Sequence, residues 1–301
     1  MTNRLWGLLL LLACFWGGSF VAYEIGLQSL PVSSLVMYRI GGAALFLWIL
    51  ALAFGWKIPR GKVWGEFLML GLLNNAIPFF LIAWGQQFIE SGLSSILNGA
   101  TALFGAILAP FFFADERLTV NKLVGVILGF LGVSIAIGIE TLHNLDPRNL
   151  GQLAVIAASL SYAFGGIWAK KRVKTEPKIT ALGMLTMGTV LMVVMHFTTD
   201  PTGALIPSLH SGLAAAYLAI VGTAFAYLLF YKVLGEAGVS YVTLITLLIP
   251  VIAITLGAII LSERLHNSAF LGFGIVAIGL MITDGRLVRK AIGFYKGNGK
   301  R

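Results

Sequence analysis

Ten stretches of mostly apolar residues, each about long enough to cross a bilayer as a helix, follow one another along this chain with short connections between them. They fall at roughly 5–24, 33–55, 64–88, 93–113, 120–139, 150–169, 179–198, 208–231, 239–261 and 268–284. The connections carry the helix breakers Pro31, Pro59, Pro147, Pro177, Pro201 and Pro207. Only 11% of the residues are charged, against about 25% in a soluble domain. Water cannot be the only solvent for such a surface. The pattern predicts an all-α integral membrane protein with ten transmembrane helices. Arg4 followed by Leu5 to Trp16 has the outline of a signal peptide. The apolar run continues past Gly17-Gly18 to Tyr23, however, so it reads as the first span. The long polar piece is the basic tail from Gly285 to Arg301.

Loop charges set the expected orientation. With ten spans, one side collects Arg4, Lys57, Arg60, Lys62, Arg117, Lys122, the Lys170–Arg172 cluster, Lys174, Lys178, Lys232 and the tail. That side holds 18 of the 21 basic residues, and the other side holds only Arg148 and Arg264. The positive-inside rule makes the rich side cytoplasmic, with both termini on it. A miscount by one span would scramble this asymmetry. The same distribution argues against nucleic acid as a partner despite a pI near 9.8: the basic residues sit in loops and tail, not on one face. Cys14 is the single cysteine, so there is no intrachain disulfide.

The chain also repeats itself at long range. Glu90-Ser91-Gly92-Leu93-Ser94 matches Glu236-Ala237-Gly238-Val239-Ser240, an offset of 146 residues. Glu116-Arg117-Leu118 matches Glu263-Arg264-Leu265, an offset of 147, and Gly-rich apolar runs follow both copies. Trp16-Gly17-Gly18 has its counterpart in Phe164-Gly165-Gly166. This period is a duplicated half, not a short stacked repeat. The expected units are a first five-helix repeat over 1–145, a second over 146–285 and the tail over 286–301. Five spans is an odd number, so the second repeat lies upside down relative to the first. Inverted repeats belong to secondary transporters, with a substrate site near the midplane between the halves.

Candidate site residues follow from polarity inside spans. Arg39 is the charge well within a span, which marks a functional site unless other groups satisfy it. Two readings stay open: it meets a substrate carboxylate, or it satisfies backbone carbonyls or snorkels outward. Asn74, Asn75 and Pro78 form a second group. Pro78 removes an amide donor and frees a carbonyl, and each Asn both donates and accepts. Asn98 and Thr101 share a helix face, as do Thr223, Tyr227 and Tyr231. Thr243 and Thr246 precede Pro250. A cavity lining is the favoured reading of these sets over plain interhelical bonding. Among the aromatics, Trp16 and Tyr162 lie mid-span beside glycines, Tyr38 adjoins Arg39, and Trp84 and Trp168 read as structural. The Glu-Arg-Leu copies read first as charges stabilising helix N-termini, with a gate as the alternative. Gly125-x-x-x-Gly129 reads as close packing within the fold.

Several classes drop out. None of the twelve acidic residues lies near mid-membrane, so an embedded carboxylate relay is not expected. No P-loop, Walker lysine or clustered metal-ligand set occurs, and no acid, base and nucleophile fall at one depth. The expectation is a non-enzymatic carrier without cofactor or metal. A drug or nucleotide-sugar carrier is the alternative within transport. A mid-span carboxylate would favour the first and more cavity lysine or arginine the second. A non-transporting membrane assembly partner is the alternative outside it.

The order of these features resembles the drug/metabolite transporter superfamily in its ten-span form with two EamA-type repeats. The matching residues are Phe15-Trp16-Gly17-Gly18-Ser19-Phe20, Pro31 leading to Arg39, the two Glu-x-Gly-x-Ser and the two Glu-Arg-Leu copies, and Pro250 thirteen residues before Glu263. The first half departs by lacking a proline midway through its fourth span, which bears on whether both halves bend alike. Within the superfamily the chain is most similar to the YddG-like aromatic amino acid exporters. The resemblance implies a multi-pass exporter of the bacterial inner membrane, with an amino acid or related small metabolite as substrate and the lipid bilayer as surroundings, monomeric and working by alternating access. The substrate-binding residues expected are Trp16, Tyr38, Arg39, Asn74, Asn75, Pro78, Asn98, Tyr162, Thr223, Tyr227 and Thr246.

Overall fold

The computed structural model describes residues 3–114, 119–137, 147–199, 206–237 and 239–284. The first Glu-Arg-Leu copy, Gly138, Gly238 and the basic tail lie outside them. Among the described residues every regular element is helical. The helices are α1 (Asn3–Leu27), α2 (Val32–Ala53), α3 (Val63–Gly85), α4 (Ser91–Phe112), α5 (Val120–Ile137), α6 (Pro147–Arg172), α7 (Pro177–Thr199), α8 (in pieces Leu209–Ala219, Ile220–Phe225 and Ala226–Ala237), α9 (Val239–Ile260) and α10 (Asn267–Asp284). Seven helices are long and apolar enough to cross a membrane: α1 to α4, and residues Leu150–Arg172 of α6, Pro177–Thr199 of α7 and Leu209–Val233 of α8. Shorter apolar runs at Val120–Ala136, Leu248–Ile260 and Asn267–Ile282 lie where the fifth, ninth and tenth spans are expected.

Helix α2 shows how a lipid-facing helix divides its surface. Leu45, Ile49 and Leu52 recur on one outward face and are 64%, 55% and 78% exposed. Arg39, Ile40, Ala43 and Leu47 lie on the face turned inward and are buried. An apolar exterior around a partly polar interior is the arrangement a hydrocarbon solvent selects.

Neighbours follow one rule. Helix α1 packs on α8 and α9, and α6 packs on α3 and α4; α2 packs on α7 and α8, and α7 on α2 and α3. Shifting each helix number by five maps this set onto itself. Helices α5 and α10 pack on each other, and glycines set their closeness. A Cβ on Gly132 would lie 2.6 Å from Val276 N and 2.7 Å from Gly272 O. A Cβ on Gly279 would lie 2.5 Å from Gly125 O. The Gly-rich runs therefore let two backbones touch inside the fold.

Two helices are locally unwound at matching places. α3 passes through a π-helical turn at Leu72–Ala76, and α8 through one at Ile220–Phe225. Such turns widen the helix and cluster at functional sites. The bends in α4 and α9 differ, as the missing proline suggests. Helix α4 breaks at Gly99, whose amide donates three residues back to Ile96 O at 3.0 Å. Helix α9 runs without interruption through Pro250.

Candidate functional site: a cavity between the repeats

A cavity of about 330 Å³ opens between the two sets of helices. Helix α1 supplies Trp16, Ser19, Phe20 and Tyr23, one face at three- and four-residue steps. Arg39 comes from α2, Asn74, Phe79 and Ile82 from α3, and Ser95, Asn98, Gly99 and Thr101 from α4. The other repeat contributes Tyr162 and Gly166 from α6, Tyr227, Phe230 and Tyr231 from α8, and Ile245, Thr246 and Ile249 from α9. Aromatic faces dominate, and polar groups are few and localised, as in small-molecule sites generally. Among the described residues no carboxylate lines the cavity.

Arg39 sits at the junction. It is 4% exposed. Its Nε donates to Thr223 Oγ1 at 2.9 Å and one Nη donates to Gly222 O at 3.3 Å. Its guanidinium carbon lies 3.7 Å from the Phe79 ring centroid and 4.9 Å from that of Tyr23, so two rings support the charge. Gly222 and Thr223 belong to the π turn of α8. The residue thus satisfies a backbone carbonyl and also faces the cavity. A guanidinium carries five N–H donors, and the bonds to Thr223 and Gly222 use two of them.

The α3 turn is held in the converse way. Ile77 N bonds back five residues to Leu72 O, and Pro78 has no amide to offer. Leu73 and Asn74 therefore lose helical donors. Ser161 Oγ donates to Leu73 O at 2.8 Å. The Tyr227 hydroxyl lies 3.4 Å from Asn74 O and 3.1 Å from Asn75 Oδ1. Donors from α6 and α8 thus replace what the π turn and Pro78 remove. Gly165 makes room for this: a Cβ there would collide with the Asn74 side-chain amide. Gly166, the other half of that diglycine, meets nothing within 4 Å and opens on the cavity. On the α1 side, a Cβ on Gly18 would collide with the Tyr217 hydroxyl. Both diglycines admit a polar side chain from the other repeat.

Of the residues expected from sequence, Trp16, Arg39, Asn74, Asn98, Tyr162, Tyr227 and Thr246 come together around the cavity. Asn75 and Thr223 sit one layer behind, fully buried, holding Tyr227 and Arg39. Pro78 shapes the turn from a buried position and Tyr38 packs partly buried against the core; neither lines the cavity. Trp84 stacks edge-on with Phe88, and Trp168 underlies the Arg172 guanidinium, structural placements for both. Sequence reasoning missed Ser19, Phe20 and Tyr23, although their spacing from Trp16 put them on its face. It also missed Phe79, Phe230 and the isoleucines of α9, which carry no polar signal.

Two cavity groups stand without partners. Asn98 Oδ1 and Thr101 Oγ1 are shielded from solvent and make no hydrogen bond. Helical threonines ordinarily bond four residues back, as Thr186, Thr189 and Thr255 do here at 2.7 Å. Thr101 does not, and its oxygen stays unpaired in the cavity wall. A buried acceptor without a donor costs about 1–3 kcal/mol.

Comparison with known proteins agrees with this architecture. The profile of the EamA-like transporter family matches twice, over residues 4–138 and 149–283. A probable amino-acid metabolite efflux pump of Escherichia coli (strain K12) is 30% identical over 298 residues, covering 95% of this chain and 96% of that protein. A protein of the same description from Salmonella typhimurium is 26% identical, covering 91% and 93%. The inner membrane transporter YedA of Escherichia coli is 25% identical, covering 92% and 90%. A crystal structure matches with a TM-score of 0.68 at 15% identity over 97% of this chain and 99% of that one, a likeness of fold alone. Two family matches spanning nearly the whole chain make this protein a member of the EamA-like transporter family, a multi-pass, non-enzymatic transporter of the bacterial inner membrane.

Proposed function

We propose that the protein exports neutral amino acids with large apolar or aromatic side chains, binding them in the cavity between the repeats and exposing it to either side in turn. The observation that carries this reading is that Arg39 shares the wall of one aromatic-lined space with Asn98 and Thr101, whose oxygens have no partner. A zwitterion needs donors for its carboxylate and neutral acceptors for its ammonium. Arg39 supplies the first, and Asn98 Oδ1 and Thr101 Oγ1 the second. The rings of Trp16, Tyr162 and Phe230 suit the side chain. The efflux-pump relatives support an amino-acid metabolite as cargo. The reading includes ten spans, both termini cytoplasmic, and inverted repeats over 1–145 and 146–285, supported by the loop charges and by the five-step symmetry of helix neighbours.

Counterflow in proteoliposomes tests it. Labelled phenylalanine, tryptophan and leucine should exchange, while glutamate and lysine should not. With no carboxylate lining the cavity among the described residues, exchange should persist when an ionophore collapses the proton gradient. Exchange that needed both a proton gradient and one particular carboxylate would sink the mechanism. Accumulation of a lipophilic cation in place of amino acids would favour the drug-carrier alternative.

A further inference from the structure

The second Glu-Arg-Leu copy does something that neither the family nor the cavity accounts for. Glu263 lies in the connection between α9 and α10, yet its carboxylate reaches across to the first repeat. Oε1 accepts from Ser91 N at 2.9 Å; Oε2 accepts from Ser91 Oγ at 2.9 Å and from Gly92 N at 3.2 Å. These are the opening residues of α4 and the core of the first Glu-x-Gly-x-Ser motif. The two motifs singled out by repetition therefore touch, second repeat to first.

The backbone around Glu263 is built for this reach. Ser262 holds φ +57°, and it is the non-glycine residue of positive φ among those described. For a serine that is an uncommon, strained setting. It turns the chain so that Leu261 N and Glu263 N both return to Gly257 O, at 3.0 and 3.2 Å. Gly257 has no room for a side chain: a Cβ there would strike the Glu263 carboxylate and lie 2.9 Å from Ser91 Oγ. Gly92 is equally confined, since its Cβ would lie 2.9 Å from Leu265 Cδ1 and 3.1 Å from Ile254 Cγ1. Glutamate, serine, leucine and both glycines form one interlocked joint.

The joint lies one turn along α4 from the cavity. Ser95, which lines the cavity, donates to Gly92 O at 2.6 Å. Helix α9, whose C-terminal end carries the joint, lines the cavity further along with Ile245, Thr246 and Ile249. We infer that Glu263 is a gating residue: its carboxylate clasps α4 to α9 and closes the cavity at this end, and the clasp must open before the cavity does. A carboxylate suits a reversible clasp. Three charge-assisted bonds at a helix N-terminus hold firmly, and water can replace all three once the helices part. The loop-charge asymmetry makes this the periplasmic end. The inference rests on reading the cavity as the transport site.

The test uses the full chain with Cys14→Ser and a reporter, Gly166→Cys, in the cavity, where an added Cβ meets nothing within 4 Å. A membrane-impermeant maleimide is added from either side of proteoliposomes. A separate Gln28→Cys variant, exposed at the clasp end, marks that side. Glu263→Gln should raise labelling of the reporter from the clasp side by about tenfold, the scale of one charge-assisted hydrogen bond, and lower it from the opposite side. Ser91→Ala removes one donor of three and should raise it by a smaller factor. Glu263→Asp keeps the charge and should label below Glu263→Gln. Unchanged rates, or an equal rise from both sides, would overturn the gating role, because a merely loosened fold admits reagent from both directions. If Glu263→Gln fails to fold, Ser91→Ala carries the test alone, and a rate equal to that of the parent refutes the proposal. If the reporter responds as expected but the parent chain, without the reporter, exchanges no amino acid, the gate stands and the substrate assignment falls. In intact cells, Gln28→Cys that the impermeant maleimide does not reach from outside would instead overturn the periplasmic assignment.

Discussion

Removing the Arg39 guanidinium should cost stability and exchange together. In Arg39→Met the stem keeps its apolar packing, but Thr223 Oγ1 and Gly222 O lose donors now at 2.9 and 3.3 Å. An acceptor left unsatisfied in a buried place costs about 1–3 kcal/mol. The cation–π contact with Phe79, with the guanidinium carbon 3.7 Å from the centroid, adds up to about 2 kcal/mol when desolvated. Against these stands the relief of no longer burying a charge. A net loss of about 2–4 kcal/mol follows. Arg39→Lys keeps the charge, but an ammonium on a shorter reach serves one acceptor in place of two and lacks the planar stacking surface. It should lose about half as much stability, by the same count of acceptors, while phenylalanine exchange falls at least as steeply as in Arg39→Met. Thermal melting followed by size exclusion reads the first quantity and counterflow the second. If Arg39→Met melted like the parent and exchanged as fast, Arg39 would neither brace the α8 turn nor bind substrate. If the melting point fell while the surviving protein exchanged normally, the bracing would stand and the substrate contact would not.

Tyr227→Phe deletes a hydroxyl that serves Asn75 Oδ1 and Asn74 O, and Asn75 is fully buried; the melting midpoint should drop by the equivalent of about 1–2 kcal/mol, and no drop would mean that the α3 turn is satisfied in some other way. Gly132→Leu should abolish the monodisperse size-exclusion peak, since even a Cβ lies 2.6 Å from Val276 N and the colliding atoms are backbone; a well-behaved variant would refute the α5–α10 packing. Gly165→Ala presses on the end of the Asn74 side chain, which can swing into the cavity. Its KM for phenylalanine should rise several-fold with little change in melting, and an unchanged KM would remove Asn74 from the binding surface.

The fold was legible wherever solvent chose it. Hydrocarbon demands long apolar helices, so the runs in the sequence coincide with helices, and a face such as Leu45, Ile49 and Leu52 is a direct record of lipid exposure. The duplicated motifs were legible as repetition but not as a joint. Nothing local to Ser262-Glu263 says that the carboxylate ends on Ser91, 172 residues earlier in the chain. The site was half legible for a similar reason. Polar residues inside spans stand out, so Arg39, Asn74, Asn98 and Tyr227 were found. Phe79 and Ile249 did not stand out, because an aromatic or aliphatic residue looks the same whether it faces lipid, core or cavity. The π turn of α3 left a trace in Asn74-Asn75 and Pro78. That of α8 left none, since Ile220 to Phe225 is an ordinary apolar run with one glycine and one threonine.

The two π turns nonetheless explain why the polar residues stand where they do. Each turn frees backbone carbonyls, and each is served by side chains from across the molecule: Arg39 of α2 for the turn in α8, and Tyr227 of α8 with Ser161 of α6 for the turn in α3. In hydrocarbon an unsatisfied carbonyl costs several kcal/mol, so neither turn is comfortable unless the two halves are docked. In the proposed alternating-access cycle, the halves therefore stay docked at this depth. They can separate only above or below it. The proposed cycle, opening first one end of the cavity and then the other, would pivot at the level of Arg39 and Tyr227. The contacts that break and re-form belong at the ends, where water can take the place of the lost partner, as it can for the carboxylate of Glu263.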